Sequence, residues 1–202
     1  MPNRWYLSNV VLSKTAHLNP HTEFLWSRED YEDLIRRGVF GPEDQVELLN
    51  GKLITMAPQF APHATACTLL NNILTRVCPD GHFVRCQLPI ALDERSELEP
   101  DLAVVKGAPR DYADRHPAAN DVVLVVEVAD SSLDYDRRKK LPAYALAGIP
   151  EYWIVNLTDR TVGQYSNPKG DGYGRRDVLN STDLLKSARF ACEDTRIADF
   201  LP

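Results

Sequence analysis

The run Val122-Val123-Leu124-Val125-Val126-Glu127-Val128-Ala129 constrains this chain more than any other segment. A half-buried strand alternates apolar and polar residues. An unbroken apolar run of this length instead predicts a central strand covered on both faces, as in α/β proteins. Glu127 then has no polar face to use. An ionised carboxylate in such a strand is tolerated only when it is paired, protonated or bound to a cation. The run Glu99-Pro100-Asp101-Leu102-Ala103-Val104-Val105 has a related pattern, with an acid at the head of an apolar strand. Nine residues after Glu127, Asp136-Arg137-Arg138-Lys139-Lys140 opens a predicted helix. Carboxylates on neighbouring strands beside a lysine would make an oxygen-rich pocket for a hard divalent cation and a cationic partner for a phosphate.

The length of 202 residues is read as one domain with decorated ends. Residues 1–25 lack periodicity and are expected to be an N-terminal arm. The domain is expected over 26–202, with its core at about 26–166 and an edge extension at 167–202. No apolar run of about 18 residues occurs, so no membrane partner is expected. Met1 to Trp5 carries no apolar signal core after Arg4, so the expected location is cytoplasmic. The cysteines at 67, 78, 86 and 192 form no CxxC pair, which fits free buried thiols better than a structural zinc or disulfides. A net charge of −6 argues against a broad basic surface for nucleic acid. The densest basic run, Arg137 to Lys140, nevertheless lies beside the proposed pocket.

Along the chain, Ser27-Arg28-Glu29-Asp30 reads as a capping box and Gly38 as a stop, predicting a helix over 28–37. Two apolar stretches, 45–49 and 52–56, flank Asn50-Gly51, a signal for a type I′ hairpin. Helical spacing over 63–77 predicts a second helix. Strands are predicted at 83–85, 88–92, 101–105, 122–129 and 152–155. Residues 161–165 should pair with 152–155 as a hairpin. Pro89 suggests an edge or bulge. Residues 106–120 and 167–175 read as loops, and the tail as one or two edge strands. The helix over 136–147 contains Pro142, which removes an amide and distorts early turns. The order predicts an α/β fold with a mixed central sheet flanked by helices.

Each candidate residue also has an ordinary explanation. Glu47 fits a solvated position on a half-buried strand, and Asp101 a strand-entry aspartate. Glu127 fits a structurally paired buried glutamate. Lys140 and Tyr144 share a helix face, where a solvated lysine run is the usual case. Together they suggest Asp101 and Glu127 holding one Mg²⁺ (or Mn²⁺), with Lys140 stabilising the transition state and Glu47 holding the water shell or a second ion.

At these residues the chain resembles the Uma2 family, a restriction-endonuclease-like branch of the PD-(D/E)xK nuclease superfamily. The matching pieces are Val46-Glu47-Leu48-Leu49-Asn50-Gly51, Glu99-Pro100-Asp101-Leu102 and Val125-Val126-Glu127-Val128. They continue as Asp136 with Lys140 and Tyr144, and then Ala147 to Val155. The resemblance implies a restriction-endonuclease-like fold in which Asp101 is the PD aspartate, Glu127 the second acid and Glu47 an upstream acid. The superfamily lysine usually stands two residues after the second acid, where this chain has Ala129. The resemblance places that lysine on the following helix, at Lys140, with Lys139 as competitor. Ser131-Ser132 stands where relatives often have Ser-Pro. His63 occupies a position where relatives often carry a histidine, and either lines the pocket or caps the helix. The implied function is metal-dependent hydrolysis of DNA phosphodiester bonds, and a homodimer would suit two strands. Two alternatives remain open at this point. One is a catalytically silent nuclease-fold binding or regulatory module. The other is a scaffold in which Glu127 is merely a structural ion pair.

Overall fold

The computed structural model describes residues 23–41, 44–187, 189, 190, 192 and 194–202. Residues 1–22 of the expected N-terminal arm lie outside the described residues. Helix α1 (Arg28–Arg36) starts at the expected capping box: the Asp30 amide donates to Ser27 Oγ and the Asp30 carboxylate accepts from the Ser27 amide. Strands β1 (Val46–Leu49) and β2 (Lys52–Thr55) form the expected hairpin. Asn50 and Gly51 both hold left-handed backbone, φ 51° and 76°, as a type I′ turn requires. A side chain at Gly51 would also meet Leu25 Cβ at 2.7 Å. Helix α2 (Ala61–Val77) follows with Pro62 in its first turn, where a missing amide is harmless.

Next come β3 (His82–Cys86), β4 (Ile90–Asp93), β5 (Ser96–Leu98), β6 (Leu102–Lys106) and β7 (Val122–Ala129). The loop over 107–121 holds two 3₁₀ turns, Pro109–Tyr112 and Ala119–Asp121. A helical segment then runs through a single turn α3 (Leu133–Tyr135), a π-helical stretch Asp136–Lys140 and α4 (Leu141–Leu146). Strands β8 (Glu151–Asn156), β9 (Thr161–Lys169) and β10 (Gly172–Asn180) complete the sheet. Among the described residues, no helix is long and apolar enough to cross a membrane.

The strands form two sheets rather than one. A six-stranded sheet runs β10-β9-β8-β7-β6-β3, and a four-stranded sheet runs β2-β1-β5-β4. The larger sheet is mixed: β7 and β8 are parallel and its other pairings antiparallel. Strand β7 is buried along its whole length, as its pattern demands. Leu124, Val126 and Val128 face α2 and the C-terminal segment, packing with Leu70, Leu74 and Phe200. Val125 and Ala129 face α4 and the small sheet, packing with Tyr144, Tyr152, Leu49 and Leu98. Glu127 shares this second face by alternation.

Three expectations needed correction. Strand β5 was not foreseen: Ser96-Glu97-Leu98 is short and carries no apolar period, yet it joins β1 to β4 and so completes the small sheet. Residues 167–175 are not a loop but the tip of the β9–β10 hairpin, paired from Gly172↔Lys169 to Asn180↔Thr161. Pro168 is tolerated because β8 stops pairing with β9 at Ser166, so its missing amide faces no third strand. The helix expected from Asp136 begins three residues earlier and widens to π geometry just before Pro142. The widening accommodates a ring that would otherwise crowd the carbonyl four residues back.

Candidate active site

Lys140 is 6% exposed, a burial lysine reaches only when paired. Its Nζ lies 3.0 Å from Glu127 Oε1 and 3.3 Å from Glu47 Oε2. The three residues come from β7, β1 and the π-helical stretch, so the large sheet, the small sheet and the helix all converge here. Asp136, Lys140 and Tyr144 recur at intervals of four and point inward, whereas Arg137, Arg138 and Lys139 are exposed. Lys139, expected as a competitor in the pocket, therefore projects to solvent. Tyr144 does not line the cleft either. It is fully buried behind Glu127 and donates its hydroxyl to Glu127 Oε1 at 2.8 Å.

Asp101 is held at the mouth of β6, in the bend before Leu102. Its Oδ2 accepts the Val128 amide at 2.8 Å and faces His63 Nε2 at 3.1 Å. Because β6 and β7 pair Leu102 with Val126, this contact seats Asp101 beside Glu127 across the ladder. Gln87 supports the turn: its amide donates to the Asp101 carbonyl at 3.0 Å, from a left-handed backbone at φ 51°. Strain of this kind at a non-glycine residue concentrates where the surrounding structure must hold a site in shape.

These groups line a cleft of about 460 Å³. Among the described residues six carboxyl groups (Glu47, Glu99, Asp101, Glu127, Asp130 and Asp136) and a single lysine, Lys140, face it. Burial pushes the Glu127 carboxyl up to about 8 against the pull of Lys140, with Asp136, Asp101 and Glu47 adding to the rise. Burial likewise lifts Asp136 to about 6, opposed by Lys140. For Lys140, burial alone would favour the neutral amine, but Glu127, Glu47 and Asp136 outweigh it and hold the ammonium above its usual range. Burial opposes protonation of His63 as well, and its hydrogen bond to Asp101 more than compensates. The cleft thus concentrates negative charge against low-dielectric walls, the condition for capturing a cation.

Sequence reasoning passed over Glu99 and Cys67. Glu99 lines the cleft, and burial beside Glu47 raises its carboxyl. Its spacing two residues before Asp101 was the available signal. Cys67 lies one turn along α2 from His63, its Sγ 3.6 Å from His63 Nδ1, and the (i, i+4) spacing of the two was legible.

Among the described residues two buried acids lie outside the cleft: Glu151, which accepts from Trp153 Nε1 and Ser187 Oγ, and Glu97. Glu97, on β5, is 3% exposed, and its Oε2 has no hydrogen-bond partner. Burial, aided by Glu32, raises it from 4.5 to about 7. An acid that binds its proton more tightly when folded stabilises the fold below its unfolded pKa and loses that contribution as pH rises through the folded one. Chemical unfolding of the chain should therefore show stability falling between pH 4.5 and 7. Glu97→Gln should flatten that slope, and an unchanged slope would exclude Glu97 as its source.

A mixed sheet bearing two acids on paired strands, with flanking helices, is a restriction-endonuclease-like α/β fold. The Uma2 family model, described as "Putative restriction endonuclease", matches residues 28–194. The chain belongs to the Uma2 family. A crystal structure described as a putative nuclease belonging to DUF820, from Anabaena variabilis, shares the fold with a TM-score of 0.64. The two are 14% identical over 85% of this chain and 95% of that one. No curated protein matches the chain.

Proposed function

We propose that this protein hydrolyses DNA phosphodiester bonds in a reaction that requires Mg²⁺ or Mn²⁺. The observation that carries this reading is the convergence of buried Glu127, Glu47 and Lys140 with Asp101 on one acidic cleft. The donor set suits a hard divalent cation, because carboxylate oxygens are its preferred ligands. Glu47 Oε2 is buried and forms no hydrogen bond, its neighbour being the Lys140 ammonium at 3.3 Å, so it keeps lone pairs to offer a cation or its water. Asp101 and Glu127 would hold the ion, which when bound supplies Lewis acidity at phosphorus and a water of lowered pKa. A polyanionic substrate cannot approach six carboxyl groups unaided, which is a second reason to expect a cation requirement.

The protein's own residues divide the remaining work. His63 and the Val128 amide fix the Asp101 carboxylate. Tyr144 and Lys140 orient Glu127. Lys140 carries a positive charge that can stabilise the charge growing on the phosphoryl oxygens, and Glu47 can hold the attacking water. A homodimer would offer one cleft to each strand of a duplex.

Incubating plasmid and single-stranded DNA with the purified chain should give cleavage with Mg²⁺ or Mn²⁺ and none with chelator. The silent-module reading draws on Lys140 already pairing with both glutamates. It predicts no cleavage and no divalent-ion binding at millimolar metal by calorimetry, together with retained affinity for nucleic acid or protein.

A further inference from the structure

We propose that His63, Cys67 and Asp101 form a second cation site, selective for a thiophilic divalent metal such as Zn²⁺, that shares Asp101 with the hard-cation site. Ligand atoms of the three residues lie within 4.8 Å of one another, and all three residues are buried. His63 Nε2 is 3.1 Å from Asp101 Oδ2, and Cys67 Sγ is 3.6 Å from His63 Nδ1. Zinc bond lengths in tetrahedral geometry put nitrogen and oxygen ligands about 3.3 Å apart and sulfur and nitrogen about 3.6 Å apart. Each contact taken singly is close to the length it would have in a chelate. The ring meets its two partners through different nitrogens. Binding needs the ring to turn so that one nitrogen faces the cation, and the metal must displace to solvent the Cys67 proton that burial and Asp101 hold in place.

The trio differs in kind from the acids around it. Mg²⁺ is bound by oxygen, whereas a thiolate and an imidazole select zinc and its soft relatives. The framework is rigid: His63 and Cys67 stand one turn apart on the 17-residue helix α2, and the Val128 amide pins Asp101. His63 and Asp101 line the cleft, which gives a cation its way in, while Cys67 packs in the apolar cluster beneath α2. Because Asp101 belongs to both sets, a soft cation seated here would exclude the hard one. Only that exclusion rests on the hydrolase reading; the soft-metal site itself does not.

Cobalt(II) titration tests the site, since a cobalt–thiolate bond gives a charge-transfer absorption that oxygen and nitrogen ligands do not. Serine replaces the exposed Cys86 in every sample so that a signal reports on Cys67. The expected result is a charge-transfer band at one equivalent, displaced by Zn²⁺. Cys67→Ala and Cys67→Ser should both lose the band while keeping the circular dichroism of the parent. Asp101→Asn should weaken cobalt affinity at least about tenfold, since even outer-shell losses have effects of that size. Glu127→Gln should leave band and affinity unchanged. No band at stoichiometric cobalt, or a band that survives both Cys67 variants, would overturn the site. Failure of Mg²⁺ to bind by calorimetry would instead sink the hydrolase reading and leave the cobalt spectrum as expected.

Discussion

Glu127→Gln should reduce metal-supported DNA cleavage by at least about a thousandfold, or ~4 kcal/mol of transition-state stabilisation. The substitution keeps the side chain's size, and its carbonyl oxygen can still accept from Tyr144 and Lys140, which now reach Glu127 Oε1 at 2.8 and 3.0 Å. It removes the negative charge that a cation needs. Fold and activity should therefore separate: thermal unfolding close to that of the parent, with cleavage absent. Cleavage by the variant at the parental rate would mean that Glu127 takes no part in the chemistry.

Lys140→Ala should have the largest effect on stability, about 3 kcal/mol, because removing one partner of a buried ion pair strands the other. Here two acids are stranded, Glu127 at 4% exposure and Glu47 at 1%. Burial already favours the protonated form of Glu127. The loss should thus be smaller at about pH 6, where that acid can take up a proton, than at about pH 8, where it must bury charge. Urea unfolding at the two pH values measures this. A loss of stability independent of pH would point to lost packing of the lysine stem rather than to unpaired carboxylates. Cleavage should fall in the same variant even where it remains folded, through loss of the ammonium that faces the phosphoryl group.

Much of this arrangement was legible before any coordinates. The unbroken run from Val122 to Ala129 required burial on both faces, and it is sandwiched between α2 on one side and α4 with the small sheet on the other. Asn50-Gly51 specified its turn because few dipeptides adopt two successive left-handed conformations. Glu127 stood out for a physical reason: nothing in its surroundings could solvate it. The neighbours that solve this problem were harder to see, since pairing is a long-range property. Glu47 looked like an ordinary strand glutamate, and only the fold brings the Lys140 ammonium to 3.3 Å from it. Lys139 and Lys140 are adjacent and alike, and only the register of the π-helical stretch distinguishes the buried one from the exposed one. The β9–β10 tip was misread because Pro168 and Gly170 are breakers in isolation. Beyond the last pairing of β8 with β9, Pro168 pairs only with Tyr173 of β10 and Gly170 sits in the turn, so no ladder with a third strand is broken.

Soaking crystals of the protein in Mn²⁺ and collecting anomalous diffraction would test the account at its centre. It requires a manganese peak bridged by carboxylate oxygens of Asp101 and Glu127, with Lys140 still beside Glu127. A peak bound elsewhere, or none at saturating Mn²⁺ with both carboxylates in their present hydrogen bonds, would contradict it.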